Sequence, residues 1–144
     1  MAKQIYYEDV DVGTELPPLK KHVTLRQLVM WAGASEDIYE LHYDRDFARS
    51  QGLRNPILHG RLKAAFLSQL VTDWIGAKGM LKKLTIRYLK MDYVDEDIIC
   101  KGKVTKKYQH EGQNLVECDL WAENPAGEST TSGVAICTLP AKAK

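Results

Sequence analysis

A helix that is apolar on nearly every side has to be wrapped by other elements. The chain holds one such stretch, opening at Gly60 and closed by Gly76 and Gly79. Leu62, Ala64, Ala65, Phe66, Leu67, Leu70, Val71, Trp74 and Ile75 cover well over half of its circumference. Arg61 with Lys63 near its start, and Ser68 in its middle, interrupt that apolar surface. Arg61 and Ser68 are seven residues apart, so they fall almost on one line, two turns separated.

From Lys83 onward the period changes to two. Leu84, Ile86 and Tyr88 alternate with Lys83, Thr85 and Arg87. Ile98, Cys100, Gly102 and Val104 alternate with Lys101, Lys103 and Thr105, and Val116, Cys118 and Leu120 alternate with Glu117 and Asp119. Val134 and Ile136 continue the theme in a last strand starting near Glu128. Turn-like breaks at Asp92 to Asp97, His110-Glu111-Gly112 and Asn124-Pro125-Ala126-Gly127 separate these runs. The pattern predicts four consecutive antiparallel strands with one face toward the apolar helix. Ahead of the helices, residues 5–16 read as a partly extended lead-in. Pro17-Pro18 are expected to end regular structure there, with a first short strand over Lys20–Val23. A curved sheet wrapped around a single helix satisfies all of this. The arrangement is α+β and resembles the hotdog fold, whose domains pair into dimers that join two sheets edge to edge.

Between lead-in and central helix lies the chemistry. Thr24 and Gln27 form a capping box, and Leu25, Leu28, Val29 and Ala32 give one apolar face to a helix from about Leu25 to Ala34. Then come an acid, Asp37, and an imidazole, His42. Five helical steps would set them about 140° apart around an axis, so a joint task requires the segment to leave helical geometry. A carboxylate and an imidazole turned toward one point suit general acid–base work on a water molecule. On spacing alone, the simpler reading is Asp37 as a cap or terminator of a helix and His42 as an ordinary partly exposed histidine. Asp44 offers an N-cap to a short helix stopped by Gly52, and Asn55-Pro56 forces an extended turn into Leu58-His59-Gly60.

The stretch Ser35-Glu36-Asp37, His42-Tyr43-Asp44, Phe47-Ala48, Gly52 and Pro56-Ile57-Leu58-His59-Gly60 resembles the MaoC-like dehydratases, which include the (R)-specific enoyl-CoA hydratases and 3-hydroxyacyl-thioester dehydratases. Their motif runs S-x-D-x-N-P-x-H-x-D-x-x-x-A, followed by a P-I-x-H-G turn into the central helix. Asp37, His42, Asp44, Ala48, Pro56, Ile57, His59 and Gly60 match it, and the similarity spans almost the whole chain. Two departures stand out. The family's Asn-Pro is Tyr39-Glu40 here, and Arg61 replaces an apolar residue.

The resemblance implies reversible addition of water across the C2–C3 double bond of a trans-2-enoyl thioester, giving a 3-hydroxyacyl thioester. Asp37 and His42 would share one water and its protons as a pair. The backbone N–H of Gly60, at a helix N-terminus, is suited to the thioester oxyanion, and with the motif around it this role is preferred over that of a mere tight-turn glycine. Ser68 aligns with a serine that the family often places in its active site. It lies about 12 Å along the helix from Gly60, too far to share one oxygen with it. His59 is expected to support the turn. Tyr39, Glu40 and Arg61 are the candidates for substrate discrimination and point to a substrate other than a plain fatty chain. Arg49, Arg54, Lys82, Lys83 and Arg87 are available to the phosphates of the carrier, coenzyme A or an acyl carrier protein.

The 144 residues are read as one domain, 1–144. A net charge of +1 gives no global field for nucleic acid or an anionic membrane, no apolar run is long enough to span a bilayer, and MAKQIYYEDVDVG is not a signal peptide. The expected setting is the cytosol. Cys100, Cys118 and Cys137 are widely spaced on strands and read as buried core thiols. No metal or redox cofactor is implied, since ligand-spaced clusters and Gly-rich phosphate loops are absent. The expected partners are an acyl thioester substrate and further copies of the chain in a homodimer or higher homo-oligomer. Two alternatives stay open: a non-catalytic hotdog subunit that binds thioesters or stabilises an active partner, and a hotdog thioesterase.

Overall fold

The computed structural model describes residues 4–143; residues 1–3 and 144, at the ends of the span read as one domain, lie outside the described residues. The order is β1 (Glu15–His22), α1 (Leu25–Ser35), α2 (Arg45–Ser50), α3 (Gly60–Ile75), β2 (Met80–Tyr88), β3 (Asp97–His110), β4 (Gln113–Glu123) and β5 (Ser129–Thr138), with 3-10 turns at Tyr7–Asp9 and Glu40–His42. One antiparallel sheet runs in the order β1-β3-β4-β5-β2. It has the α+β hotdog architecture, with the sheet laid over α3.

The central helix behaves as its composition demands. Leu62, Phe66, Leu67, Leu70, Val71, Trp74 and Ile75 are buried and pack on Ile98, Cys100, Val104, Val116, Cys118, Leu120, Ala122, Ala135 and Cys137. Each large side chain buried this way contributes roughly 1.5–3 kcal/mol. All three cysteines are buried and free, and burial pushes the Cys100 thiol up to about 12.

Three expectations need correction. β1 is longer than Lys20–Val23 and runs through both prolines. It is an edge strand, and its pairing with β3 skips between Leu16 and Leu19, so the missing N–H groups of Pro17 and Pro18 break no ladder. The phase of β5 is shifted by one residue: Ala135, Cys137 and Leu139 are buried while Val134 is exposed. At Gly133 the paired strand β2 leaves no room for a side chain. A Cβ on Gly133 would come within 2.7 Å of the Ile86 side chain and the Thr85 carbonyl. Finally, β2 does not pair with the strand that follows it. It lies at the far edge, bonded to β5.

The entry to α3 is pinned on both sides. Leu58 N–H donates to the Asp92 carbonyl (2.9 Å) and Val94 N–H to the Pro56 carbonyl (3.0 Å), while Ile57 N–H donates to the Leu41 carbonyl (3.2 Å). The β2–β3 loop thus meets the Asp37–His42 loop through a single extended tripeptide.

Candidate active site

α1 carries the predicted cap, with Thr24 Oγ1 accepting from Gln27 N–H, and ends one residue later than expected, at Ser35. Glu36 adopts the left-handed conformation (φ 59°) and turns the chain off the helix axis. Asp37 follows directly. Its carbonyl accepts from His59 Nε2–H (3.1 Å). Asp44 caps α2 as predicted, accepting from Asp46 and Phe47 N–H at 2.9 Å. Glu36 turns the chain just before Asp37, and the five-residue separation is then closed by extended Tyr39 and the 3-10 turn Glu40–His42.

His42 Nδ1–H donates to the Ile57 carbonyl at 2.7 Å. In that neutral tautomer Nε2 carries the lone pair, and it lies 4.0 Å from Asp37 Oδ2. The gap is too long for a direct hydrogen bond, yet one water oxygen can reach both atoms. The His42 side chain is 12% exposed and that of Asp37 49%, and His42 stands in the wall of a cleft. That cleft, of about 400 Å³, is lined by His42, Ile57, Leu58, Gly60, Lys63, Tyr88, Leu89, Lys90 and Met91.

Gly60 opens α3, and no side chain caps this helix. Its N–H is one of the orphan donors of the first turn and sits in the cleft wall beside His42. A Cβ at Gly60 would lie 3.2 Å from the Tyr88 ring, so the glycine also admits that ring. Among the other predicted residues, Tyr39 sets its half-exposed ring edge-on to His42 (6.3 Å) and Phe47 (5.7 Å). Glu40 is exposed at the start of the 3-10 turn, Arg61 is exposed, and Ser68 is half-buried. None of these four lines the cleft. Of the candidate phosphate partners, Arg49 pairs with Asp46 and Arg54 with Glu96. Lys82, Lys83 and Arg87 stand exposed on β2.

His59 does more than support a turn. It is 1% exposed and stacks under His42, with ring centroids 3.7 Å apart and planes at 21°. Burial, and then the neighbouring His42, hold its imidazole below the ordinary 6.5 against the opposing pull of the Asp37 carbonyl. The fold thus gathers Asp37, His42 and His59 with ligand atoms within 4.8 Å, a cluster that sequence spacing concealed. Stacked rings aim their in-plane lone pairs side by side rather than at one centre, and one nitrogen of each ring is already bonded to a carbonyl. The trio fits proton handling better than a metal. Sequence reading also passed over Lys63 and Asp92 as site residues, Asp92 being read only as part of a turn; a lysine inside an apolar helix was the available signal.

The MaoC like domain model matches residues 11–124. The chain belongs to the MaoC-like family. The beta subunit of 3-oxo-4,17-pregnadiene-20-carboxyl-CoA hydratase from Mycobacterium tuberculosis is 27% identical to this MaoC-like chain over 123 residues, 85% of the chain and 92% of that protein. The (R)-specific enoyl-CoA hydratase of Aeromonas caviae is 24% identical over 134 residues, 92% of the chain and 98% of the relative. Among solved structures, the unliganded R-hydratase PhaJ1 from Pseudomonas aeruginosa superposes with a TM-score of 0.88 at 24% identity, covering 96% of this chain and 88% of its own. No described helix is long and apolar enough to cross a membrane.

Proposed function

We propose that this MaoC-like chain is a hydratase/dehydratase, a carbon–oxygen lyase that adds water reversibly to a trans-2-enoyl thioester of coenzyme A or an acyl carrier protein. The observation that carries the reading is the Asp37 carboxylate and the bare His42 Nε2, 4.0 Å apart, beside the uncapped Gly60 N–H. The pair holds one water and takes a proton from it as the oxygen attacks C3. The same proton, passed within the pair, goes to C2, so one O–H bond of water and the C2–C3 π bond are exchanged for one C–O and one C–H bond. Charge that builds on the thioester oxygen meets the Gly60 N–H and the positive end of α3. In dehydration the steps reverse. The names of the relatives support this reaction class.

The working form we propose is a cytosolic homodimer. β2 is an edge strand whose outer side is unpaired among the described residues, and Met80, Tyr88, Leu89 and Met91 are large, exposed and apolar along it and just beyond. Light scattering should return twice the 16.3 kDa chain mass. The similarity to a named beta subunit favours one second reading, in which the neighbour is a different hotdog chain.

The test is hydration of crotonyl-CoA and longer or branched enoyl-CoAs, followed by loss of conjugated-enoyl absorbance. Asp37→Asn and His42→Ala should each lower kcat by about 10²- to 10⁴-fold with the fold intact. A folded protein inactive on every enoyl thioester would instead favour the partner-subunit reading.

A further inference from the structure

Apart from His59, a cluster of three buried polar side chains meets the cleft through Lys63, which lines it. Lys63, one turn beyond Gly60 on α3, donates from Nζ to the Lys90 carbonyl and to Asp92 Oδ2, both at 2.9 Å. Thr130 Oγ1 donates to the same Oδ2 at 2.6 Å. Lys63 is 3% exposed, Asp92 2% and Thr130 0%. Removing an ion pair from water costs much of what its attraction returns, and a packed hydrophobic pair would tie α3 to the β2–β3 loop as firmly. A buried pair whose lysine lines the candidate active site therefore points to a use.

Its unfilled valences say which. An ammonium has three donors, and two are engaged. No acceptor among the described residues is bonded to the third, and the Tyr88 ring of the cleft lies 5.9 Å from Nζ to the centroid. Asp92 Oδ1 is buried with no partner, so the carboxylate is committed to Lys63 and Thr130 through one oxygen alone. Because Asp92 cancels the charge of Lys63, the cleft is offered a strong hydrogen-bond donor with little net charge. That suits an uncharged acceptor oxygen. A carboxylate would meet the Asp92 charge directly behind the ammonium.

We propose that Lys63, held by Asp92 and Thr130, determines specificity by donating a hydrogen bond to a keto or hydroxyl oxygen on the acyl portion of the substrate. The preferred enoyl thioester is then oxygenated rather than a plain hydrocarbon. The inference rests on the hydratase reading of the same cleft. Geometry supports the placement: a thioester oxygen at Gly60 N–H leaves Lys63 one turn, about 4.5 Å, further along the helix, on the same wall of the cleft.

The test compares kcat/KM for 2-hexenoyl-CoA with derivatives bearing a ketone or hydroxyl at carbon 5, or a hydroxyl at carbon 6, beyond the conjugated bond. Wild-type protein should prefer at least one oxygenated substrate. The ratio of oxygenated to plain should fall about ten- to hundredfold in Lys63→Met/Asp92→Leu, the range for losing a hydrogen bond to a charged donor. Lys63→Gln/Asp92→Asn, which keeps a donor and an acceptor without charge, should retain part of the preference. It also carries the test if the first variant does not fold. A wild-type ratio near one overturns the proposal, as does a ratio that neither variant changes. An equal loss on oxygenated and plain substrates overturns it too, because the contact then lies on an amide carbonyl of the carrier arm. Absence of any hydration sensitive to Asp37→Asn would defeat the hydratase reading itself. Asp37-dependent hydration without discrimination defeats only this inference.

Discussion

Gly60→Ala separates packing from chemistry at one atom. The added Cβ would sit 3.2 Å from Tyr88 Cε1 and Cζ and 3.4 Å from Cδ1. That is tight, but the ring belongs to a residue 49% exposed and can yield a few tenths of an ångström toward solvent. Gly60 is not among the residues with positive φ, so alanine brings no backbone strain there. Alanine in a helix is favoured over glycine by up to about 1 kcal/mol. The two effects oppose each other, and stability should move by less than about 1 kcal/mol. Activity has no such offset. The methyl group stands beside the N–H that a thioester oxygen must approach, and loss of one oxyanion donor lowers kcat about 10²- to 10³-fold, or roughly 3–4 kcal/mol. The assay is kcat/KM for crotonyl-CoA hydration beside a thermal melt. Adding Tyr88→Ala removes the ring contact, and the double variant should stay slow because the methyl group remains. Wild-type kcat/KM in Gly60→Ala at unchanged Tm would refute the oxyanion role and leave Gly60 as a glycine that admits the Tyr88 ring.

Other consequences follow from the buried groups. Lys63→Met alone strands the Asp92 charge and should cost about 3–5 kcal/mol in urea unfolding, whereas Lys63→Met/Asp92→Leu should come within about 1 kcal/mol of wild type; equal losses in both would show that the ion pair itself stabilises the fold. The imidazole of His59 is held below its ordinary 6.5 by burial, so the unfolded chain binds a proton that the folded one refuses. Stability is then full above about pH 6.5 and falls as pH drops below it toward the folded value; urea midpoints across that window should show the slope, and His59→Phe should flatten it.

Much of the architecture was legible because it follows from patterning. An all-round apolar helix and period-two strands leave few layer arrangements, and Thr24 and Asp44 announce their helices through hydrogen bonds that the backbone would otherwise lack. Long-range pairing was less legible. Nothing in the Val134–Ile136 run says that β2 will lie beside it, with Ile86 opposite Gly133. Pro17 and Pro18 signal a break, yet an edge strand with an irregular register tolerates them. In the site, the Asp37–His42 pair was visible through its motif, while His59 stacking on His42 and Lys63 reaching Asp92 join residues 17 and 29 positions apart in the chain. Tyr39, Glu40 and Arg61 were singled out for polarity near the motif, and none of the three is among the residues lining the cleft.

The loop also shows why Tyr39-Glu40 can stand where the family has Asn-Pro. A proline would sit at position 40, hold the residue before it extended and open a helical turn. Tyr39 is already extended, with φ −66° and ψ 125°, and Glu40 already begins the 3-10 turn. The path is held by other means: Tyr43 Oη–H donates to the Ile38 carbonyl (2.8 Å), Ile57 N–H to the Leu41 carbonyl, and His42 Nδ1–H to the Ile57 carbonyl. Each also fixes a neighbour of the acid–base pair, so the pair's geometry does not depend on a proline. Glu40→Pro should therefore be accepted, because the first residue of such a turn has no intrahelical acceptor for its N–H. It should stabilise the protein by about 0.4–1 kcal/mol by restricting the unfolded chain, with kcat on crotonyl-CoA kept within an order of magnitude. Thermal melts and the hydration assay read both quantities. Destabilisation by more than about 1 kcal/mol would mean that the Glu40 N–H or side chain holds the loop, and the account of how the Asp37–His42 pair is positioned would have to be rebuilt around it.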